Sequence, residues 1–359
     1  MKKIFSVFCS LILLFNIFMF KSFAEGQPDI SARSAVVICA ETGEVVYSKN
    51  MNECLPMAST TKIMTAIIAL EYGAADHYLT VTEDMIAVEG SSMGLKDGDS
   101  VSLKTLVKGM LLKSGNDAAN AVANIVAEDI PSFVKMMNKK ASKIGMYSTS
   151  FETPSGLDGD KHYSTAFDMA ILGAYAIQNP EFRSICSAES MVVYYGSSPY
   201  RRTLINHNKL LSMYEGAFGI KTGFTKKSGR CLVSAVEKDG KTLVAVTLNA
   251  PDDWNDHIKM YDYAFEKVNS VKLTVNCNNL KLNIVGGTKK NVSVIPEKFP
   301  DITVVNGDFK YKTEIFIKHF EYAPICMGEV VGKIQFYSNG VKISETNLIT
   351  TEEVLCVEN

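Results

Sequence analysis

The sequence predicts an α+β fold: an antiparallel sheet flanked by helices, with a helical insertion, followed by a small all-β sandwich domain. Two observations lead to this prediction. Strand patterns occur near the start of the chain and return only after residue 216, whereas helical patterns fill the stretch between them. From about residue 270 onward, short alternating segments separated by Gly and Asn turns replace the helices. We therefore expect the first strands to pair with the late ones.

The first hairpin is predicted from residues 34–50, SAVVICAETGEVVYSKN, with its turn at Glu41-Thr42-Gly43. Apolar residues at helical spacing then predict five helices, which form the insertion. They span Ser59–Leu70, Ser102–Lys113, Asn116–Ala127, Pro131–Ile144 and Ala166–Gln178.

The late strands are predicted at Gly216–Thr222 and in a hairpin over residues 230–250 that turns at Asp239-Gly240. A last helix follows at Trp254–Val268. The alternating segments behind it carry no cluster of chemically reactive residues. We expect two domains, residues 25–270 and residues 271–359, with any active site in the first.

The N-terminus has the pattern of a secretory signal. Lys2 and Lys3 precede an apolar stretch that runs to about Phe20, and Ser22 and Ala24 are the small residues that a signal peptidase requires. We expect residues 1–24 to be removed. The alternative is an uncleaved membrane anchor, because the apolar stretch is close to the length that spans a bilayer.

Charge and cysteine content exclude several functions. The formal charge is −2, and loss of three lysines with the signal makes it −5, so the chain has no basic surface for nucleic acid. Seven cysteines remain after cleavage, and none forms a C-x-x-C pair. This odd number indicates neither a disulfide framework nor a zinc site. We expect no metal and no cofactor.

The stretch LPMASTTKIMTAIIALEYG, residues 55–73, admits two interpretations. In the first, Ser59 is the N-cap of an apolar helix that Gly73 ends. In the second, Ser59 is a nucleophile and Lys62, one turn later on the same face, activates it. The stretch alone favours the N-cap.

A different serine matches a known motif letter for letter. Gly90-Ser91-Ser92-Met93-Gly94 has the G-x-S-x-G pattern of a nucleophile elbow, which requires a strand before it and a helix after it. The residues that follow, LKDGDSVS, are typical of a turn. None of the five histidines has a supporting context, so we do not expect a Ser-His-Asp hydrolase.

Two further motifs support Ser59. Ser114 and Asn116 lie two residues apart in a Gly-containing turn between helices, where both side chains can face one cleft. Lys221-Thr222-Gly223 ends a predicted strand. Each has an ordinary alternative, a pair of helix caps and a strand end. All three motifs in this order, each on a suitable element, favour a common site.

At this point the sequence resembles the penicillin-recognising serine enzymes, whose motifs are Ser-x-x-Lys, Ser-x-Asn and Lys-Thr-Gly. The surrounding segments PMASTTKIMTA, LLKSGNDAANAVA, SGLDGDKHYSTAFDMA and GIKTGFTKKSGRCLVSA are similar to D-alanyl-D-alanine carboxypeptidases, the low-molecular-mass penicillin-binding proteins. The resemblance covers roughly residues 30–265. Ser-Gly-Asn in place of the Ser-Asp-Asn of β-lactamases favours a carboxypeptidase.

The resemblance and the position of Ser59 together imply a role for each motif residue. Ser59 at a helix N-terminus is the nucleophile and its N–H an oxyanion donor. The helix end and a nearby Lys221 should lower the pKa of Lys62, which then acts as general base. Ser114 is expected to relay a proton to the leaving amine, and Asn116 to hold Lys62 and the substrate amide.

The third motif is expected to bind the substrate. Lys221 and Thr222 would hold the terminal carboxylate, and Gly223 would allow a close approach of the backbone. The N–H of Phe224 would be the second oxyanion donor. The substrate peptide should lie along this strand as an added strand.

We therefore expect an exported serine carboxypeptidase that removes the terminal D-alanine of peptidoglycan stem peptides ending in D-Ala-D-Ala and that binds β-lactam antibiotics. A β-lactamase or endopeptidase of the same superfamily and a non-catalytic wall-binding protein are the alternatives. Many members of this family end in an amphipathic helix that lies on the membrane, whereas TNLITTEEVLCVEN, residues 346–359, is acidic and strand-like. We expect weak or no membrane contact after signal cleavage.

Overall fold

The computed structural model of the protein describes residues 26–73, 77–307 and 309–357. The predicted signal segment, residues 1–24, lies outside these ranges. No helix in the part of the chain that the structure describes is both long and apolar enough to span a bilayer.

The central sheet has five antiparallel strands in the order β2-β1-β9-β8-β7. Its members are β1 (Ser34–Cys39), β2 (Val45–Lys49), β7 (Ala217–Thr225), β8 (Gly229–Lys238) and β9 (Lys241–Leu248). Ser34 pairs with Leu248 and Cys39 with Leu243. The predicted pairing of the first hairpin with the late strands is therefore confirmed, and β7 is left as an edge strand.

Helices cover both faces of this sheet. A 3-10 turn at Ala58–Thr61 leads into the first of them. The α-helices are α1 (Lys62–Glu71), α2 (Glu83–Ile86), α3 (Leu103–Leu112), α4 (Asn116–Ala127), α5 (Ile130–Ile144), α6 (Ala166–Ala176), α7 (Pro180–Ser187), α8 (Leu210–Met213) and α9 (Asp253–Phe265). The larger apolar core lies on the side of α1 and α6, and a second core lies under α9.

Two short antiparallel strand pairs were not predicted. They are β3 (Tyr78–Thr80) with β4 (Ser100–Ser102), and β5 (Ser190–Tyr195) with β6 (Tyr200–Ile205). The second packs against the loop that follows α2, because the hydroxyl of Tyr195 donates to the carbonyl of Met93 at 2.7 Å. Such a contact joins residues about a hundred positions apart, so the local pattern carries no sign of it.

The C-terminal region is all-β, as predicted. Strands β11 (Lys281–Val285), β12 (Asn291–Pro296), β14 (Lys312–Ile317), β15 (Phe320–Tyr322), β16 (Val330–Ser338) and β17 (Val341–Thr350) form one sheet. Strands β10 (Val268–Lys272) and β13 (Asp301–Val305) form another, and both sheets contribute to one apolar core. At the junction, the N–H of Thr242 donates to Oγ1 of Thr303 at 2.6 Å.

Candidate active site

Ser59 lies in the 3-10 turn before α1 and not at an N-cap. The cap positions of the turn and of α1, Met57 and Thr61, make no side-chain capping hydrogen bond. Instead, Ser59 Oγ lies 2.8 Å from Nζ of Lys62. The residue before Ser59, Ala58, has φ +48°, which is unusual for a residue other than glycine. The N-cap interpretation is therefore wrong, because Ser59 is not at a cap position and its hydroxyl bonds to the side chain of Lys62.

Lys62 is fully buried at the first position of α1. Besides Ser59 Oγ, its Nζ lies 2.7 Å from Oδ1 of Asn116 and 2.6 Å from the carbonyl oxygen of Ser155. Burial first, and then the positive charge of Lys221, hold the pKa of Lys62 well below its usual value. The sequence analysis correctly predicted that the pKa of Lys62 is lowered and that Lys221 contributes. It gave the helix end as the other cause, whereas burial is the main one.

The three neighbours of Nζ determine how a neutral Lys62 must be hydrogen-bonded. The carbonyl oxygens of Asn116 and Ser155 can only accept, and a neutral amine has two N–H groups to give them. Its lone pair then has one remaining partner, the hydroxyl of Ser59, which can donate. The deprotonated amine is therefore oriented to accept the proton of Ser59.

The turn between α3 and α4 brings the second motif to the same place. Ser114 has φ +58° and lines the cleft described below. Asn116 begins α4, and its Nδ2 donates to the carbonyl of Glu89 at 2.7 Å. That bond fixes the orientation of the amide, so Oδ1 faces Lys62. The two side chains converge on one region, as predicted from their spacing.

The third motif lies inside β7 and not at its end. The pairing of β7 with β8 continues past the motif to Thr225, which pairs with Gly229, and this tight connection extends the strand. A Cβ on Gly223 would stand 3.0 Å from the N atom of Ser59, so the absence of a side chain allows β7 to approach the 3-10 turn. The backbone at Gly223 and Phe224 thus lies beside the backbone of Ser59.

Lys221 is 1% exposed, and its Nζ donates to the carbonyl of Thr222 at 2.8 Å. Burial lowers its pKa to about 7. An anion bound nearby would favour the charged form. Phe224, by contrast, is 65% exposed at the mouth of the site.

These elements enclose a cleft of about 320 Å³. It is lined by Ser59, Ser91, Ser114, His207, Lys209, Thr222, Gly223, Phe224, Arg230, Asp253 and Trp254. Of the predicted residues, Lys62, Asn116 and Lys221 are buried beside this lining. The structure thus places all eight predicted site residues in or next to one cleft.

Sequence reasoning missed several residues of the site. The carbonyl of Ser155 that contacts Lys62 is a backbone group, which no residue pattern identifies. His162 holds the same loop: its Nδ1 accepts from the N–H of Glu152 at 3.0 Å, and its Nε2 lies 2.8 Å from Oγ1 of Thr61. Burial lowers the pKa of His162 to about 4, so it is neutral and fixed in one tautomer.

A second missed group forms one wall of the cleft. Nε of Arg230 donates to Oδ1 of Asp253 at 2.9 Å, and Nη2 lies 2.8 Å from the same oxygen in an ion pair. The guanidinium also lies 5.4 Å from the centre of the Trp254 ring. Arg230, paired with Asp253, thus brings a guanidinium to the lining of the cleft. Arg230 is the second residue of β8, and no local pattern marks it as a site residue.

Ser92 of the elbow-like motif is not among the residues that line the cleft. Residues 87–99, all of which the structure describes, form neither helix nor strand, so the strand–turn–helix context of a nucleophile elbow is missing. Its Oγ donates to Oδ2 of Asp117 at 2.5 Å. Within the described residues, no cluster of three His, Cys, Asp or Glu side chains could hold a metal ion.

An antiparallel sheet with helices on both faces and a buried lysine bonded to a serine at the edge strand defines a class, the penicillin-recognising serine hydrolases. The comparison with protein families is more specific. A profile described as D-alanyl-D-alanine carboxypeptidase matches residues 21–252, and one described as penicillin-binding protein 5, C-terminal domain, matches residues 267–355. The chain belongs to the D-alanyl-D-alanine carboxypeptidase family.

Individual relatives agree with this membership. The chain is 32% identical to the D-alanyl-D-alanine carboxypeptidase DacF of Bacillus subtilis, over 90% of this chain and 86% of that one. It is 32% identical to DacC of Escherichia coli, over 91% and 85%. Among solved structures, penicillin-binding protein 5 of Haemophilus influenzae matches with a TM-score of 0.66 and 27% identity, over 92% of this chain and 99% of that one. A Streptomyces DD-transpeptidase matches 67% of this chain and 99% of its own, with a TM-score of 0.64 and 30% identity.

Proposed function

We propose that the chain is a serine D-Ala-D-Ala carboxypeptidase that removes the terminal D-alanine of peptidoglycan stem peptides through an acyl-enzyme on Ser59. The observation that carries the proposal is the fully buried Lys62 with Nζ 2.8 Å from Ser59 Oγ. Its two obligate acceptors leave the lone pair of the neutral amine for the hydroxyl proton. Family membership supplies the substrate class.

Acylation begins when neutral Lys62 takes the proton of Ser59 while Oγ attacks the carbonyl carbon of the penultimate D-alanine. The carbonyl oxygen becomes an oxyanion. The N–H groups of Ser59 and Phe224 are the proposed donors to it, and the short approach of Gly223 to Ser59 supports this pairing. Burial makes these interactions stronger than they would be in water.

Collapse of the tetrahedral intermediate breaks the C–N bond to the terminal D-alanine. The leaving nitrogen needs a proton, which Lys62 has just accepted and which Ser114 can relay, since its hydroxyl both accepts and donates. The product amine leaves, and an ester on Ser59 remains. A water molecule then attacks the ester with Lys62 again as base, and the proton returns to Ser59.

Recognition of the free carboxylate is assigned to Lys221 and Thr222, with Arg230 as a further cation. Lys221 loses part of its charge to burial at neutral pH, and a bound carboxylate would restore it. Because β7 is an edge strand, the peptide can add to it by backbone hydrogen bonds. A peptide that ends in an amide should therefore bind poorly.

The direct test is D-alanine release from a soluble pentapeptide ending in D-Ala-D-Ala, compared with the same peptide carrying a C-terminal amide. Release from the acid, strongly reduced release from the amide and none by Ser59→Ala are expected. No release by the wild-type chain, with penicillin still bound covalently, would indicate a different acceptor or substrate.

The β-lactamase alternative makes an opposite prediction about the penicillin adduct. A carboxypeptidase holds the penicilloyl ester for a long time, whereas a lactamase hydrolyses it rapidly. Intact-mass measurements after mixing with penicillin distinguish the two. An endopeptidase is distinguished by cleavage of cross-linked dimers in place of stem termini, and a non-catalytic wall-binding protein by the absence of any adduct.

We further propose residues 25–270 as the catalytic domain and residues 271–359 as a separate β domain, with action outside the cytoplasmic membrane. The signal-like N-terminus and the wall-borne substrate class support the location. Every residue that lines the cleft belongs to the first range. N-terminal sequencing of the exported protein should find Glu25 first. Recovery only from detergent-extracted membranes, with Met1 retained, would contradict this proposal.

A further inference from the structure

The elbow-like segment Gly90–Gly94 has a role in the fold that the proposed reaction does not explain. Asp117, the second residue of α4, is 2% exposed. Its Oδ1 accepts from the N–H of Met93 at 3.0 Å, and its Oδ2 accepts from the N–H groups of Gly94 and Leu95 at 3.1 Å each. The segment that resembles a nucleophile elbow is thus a backbone nest for an internal carboxylate.

Ser92 completes this arrangement. Its Oγ donates to Oδ2 of Asp117 at 2.5 Å and accepts from the N–H of Gly94 at 2.8 Å. Gly94 has φ +86°, a conformation that favours glycine and that turns successive N–H groups towards one point. We call residues 92–95 together with Asp117 the Asp117 latch.

The latch borders the reacting groups directly. Ser91, one residue before it, lines the cleft, and its carbonyl accepts from the N–H of Asn116 at 2.7 Å. The side chain of Asn116 bonds to the carbonyl of Glu89 on one side and to Lys62 on the other. Gly90 lies so close that a Cβ there would stand 2.8 Å from Nδ2 of Asn116. The loop that Asp117 holds therefore fixes Asn116, which fixes Lys62.

Asp117 also acts on Lys62 through its charge. Its carboxylate raises the pKa of Lys62, against burial and the positive charge of Lys221 on β7. On the side of the Ser155 loop, His162 also faces this region, and it is neutral above about pH 4. Removal of the Asp117 charge should leave the base neutral at lower pH.

We propose that Asp117 is a positioning residue for acylation: its buried carboxylate holds residues 92–95 against α4 and so keeps Asn116 and the charge balance at Lys62 in the reactive arrangement. The proposal rests on the proposed function of Ser59 and Lys62. It assigns the serine of the elbow-like motif to the latch, where it supports a carboxylate and attacks nothing.

Two substitutions of Asp117 distinguish the effect of its charge from the effect of its position. Asp117→Asn removes the charge and keeps the size, whereas Asp117→Glu keeps the charge and displaces the carboxylate by one methylene. Ser92→Ala is the matched control, because it removes one neutral partner of the latch. All are made in the full chain, and folding is checked by circular dichroism and thermal melting.

The first readout is the second-order rate of acylation by a fluorescent penicillin between pH 5 and pH 9. Asp117→Asn should move the acid limb of the profile down by about one pH unit. Asp117→Glu should leave the limb in place and lower the plateau roughly tenfold. Ser92→Ala should keep the limb and lose less than about threefold. Coincident limbs for the wild-type chain and a folded Asp117→Asn variant would overturn the charge role.

The second readout, amide hydrogen exchange at Met93, Gly94 and Leu95, does not depend on activity. Both Asp117 variants should exchange roughly tenfold faster there than the wild-type chain. Unchanged exchange would overturn the latch even if acylation fell. If Asp117→Asn does not fold, Asp117→Glu still tests the latch by exchange. A wild-type chain that takes up no penicillin would contradict the proposed function and leave the exchange result interpretable.

Discussion

Replacement of Lys221 by methionine should stabilise the fold at neutral pH while it damages substrate binding. Lys221 is 1% exposed, and burial lowers its pKa to about 7. Between that pH and the usual lysine pKa near 10.5, the unfolded chain binds more protons than the folded chain, so the free energy of unfolding rises with pH across this window. Methionine has similar length and no charge, so the variant lacks this dependence.

The size of the effect follows from the shift. Lowering the pKa of Lys221 from 10.5 to about 7 corresponds to a destabilisation of the folded chain by roughly 5 kcal/mol. This destabilisation is fully present below pH 7 and absent above about pH 10.5. Lys221→Met also loses the hydrogen bond from Nζ to the carbonyl of Thr222, which offsets about 1 kcal/mol of the stabilisation. Between pH 7 and pH 9 the free energy of unfolding of the wild-type chain should rise by about 2 kcal/mol relative to that of Lys221→Met.

Urea unfolding at pH 7, 8 and 9 measures this difference directly. Lys226→Met, a change at an exposed lysine of the same hairpin, is the control and should follow the wild-type chain. The same Lys221→Met variant should show a KM for the D-Ala-D-Ala peptide raised more than tenfold. Parallel stability curves for the wild-type chain and Lys221→Met would contradict this prediction, because they would mean that Lys221 keeps its normal pKa when folded.

Three other changes test the role of Lys62 as base, the close approach of Gly223 to Ser59, and the independence of the site from the β domain. Lys62→Ala should lower acylation by several orders of magnitude, as followed by gel fluorescence with labelled penicillin, because base and orientation disappear together; a loss under tenfold would remove Lys62 from the mechanism. Gly223→Val should also slow acylation strongly, since a Cβ there would lie 3.0 Å from the N atom of Ser59 and 3.1 Å from the carbonyl oxygen of Met57; wild-type rates would show that this approach is not needed. Truncation after Ser270 should keep acylation measurable but lower the melting temperature, because it removes Val305 from the second core; a folded fragment without acylation would mean that the β domain completes the site.

Much of the fold was predictable because it depends on local pattern. The helix at Asn116–Ala127 has the predicted bounds, and the first hairpin was located by two strand-like segments and the turn that ends at Gly43. The β5–β6 hairpin was missed although its pairing is local, from Ser190 with Ile205 to Tyr195 with Tyr200, around the turn GSSP. The end of β7 differs from the prediction by a few residues, because its tight connection to β8 continues the pairing to Thr225.

The site was predictable to the extent that side chains define it. Motif spacing identified Ser59, Lys62 and Asn116 as neighbours, but not the backbone carbonyl of Ser155, which completes the coordination of Nζ. Ser59 lies in a 3-10 turn, with its hydroxyl bonded to Lys62, which the sequence did not predict in place of a regular first helical turn. The elbow-like motif could be rejected as a nucleophile from sequence, yet its partner Asp117 became visible only in three dimensions.

The most direct test of the central claim is to locate the atom that penicillin acylates. The full chain is reacted with penicillin, digested, and the modified peptide sequenced by tandem mass spectrometry. We predict one adduct per chain, on Ser59, and no adduct in Ser59→Ala, whose stability should change by no more than about 1 kcal/mol for one lost hydrogen bond. An adduct on Ser92 or Ser114, or one that persists in Ser59→Ala, would contradict the account.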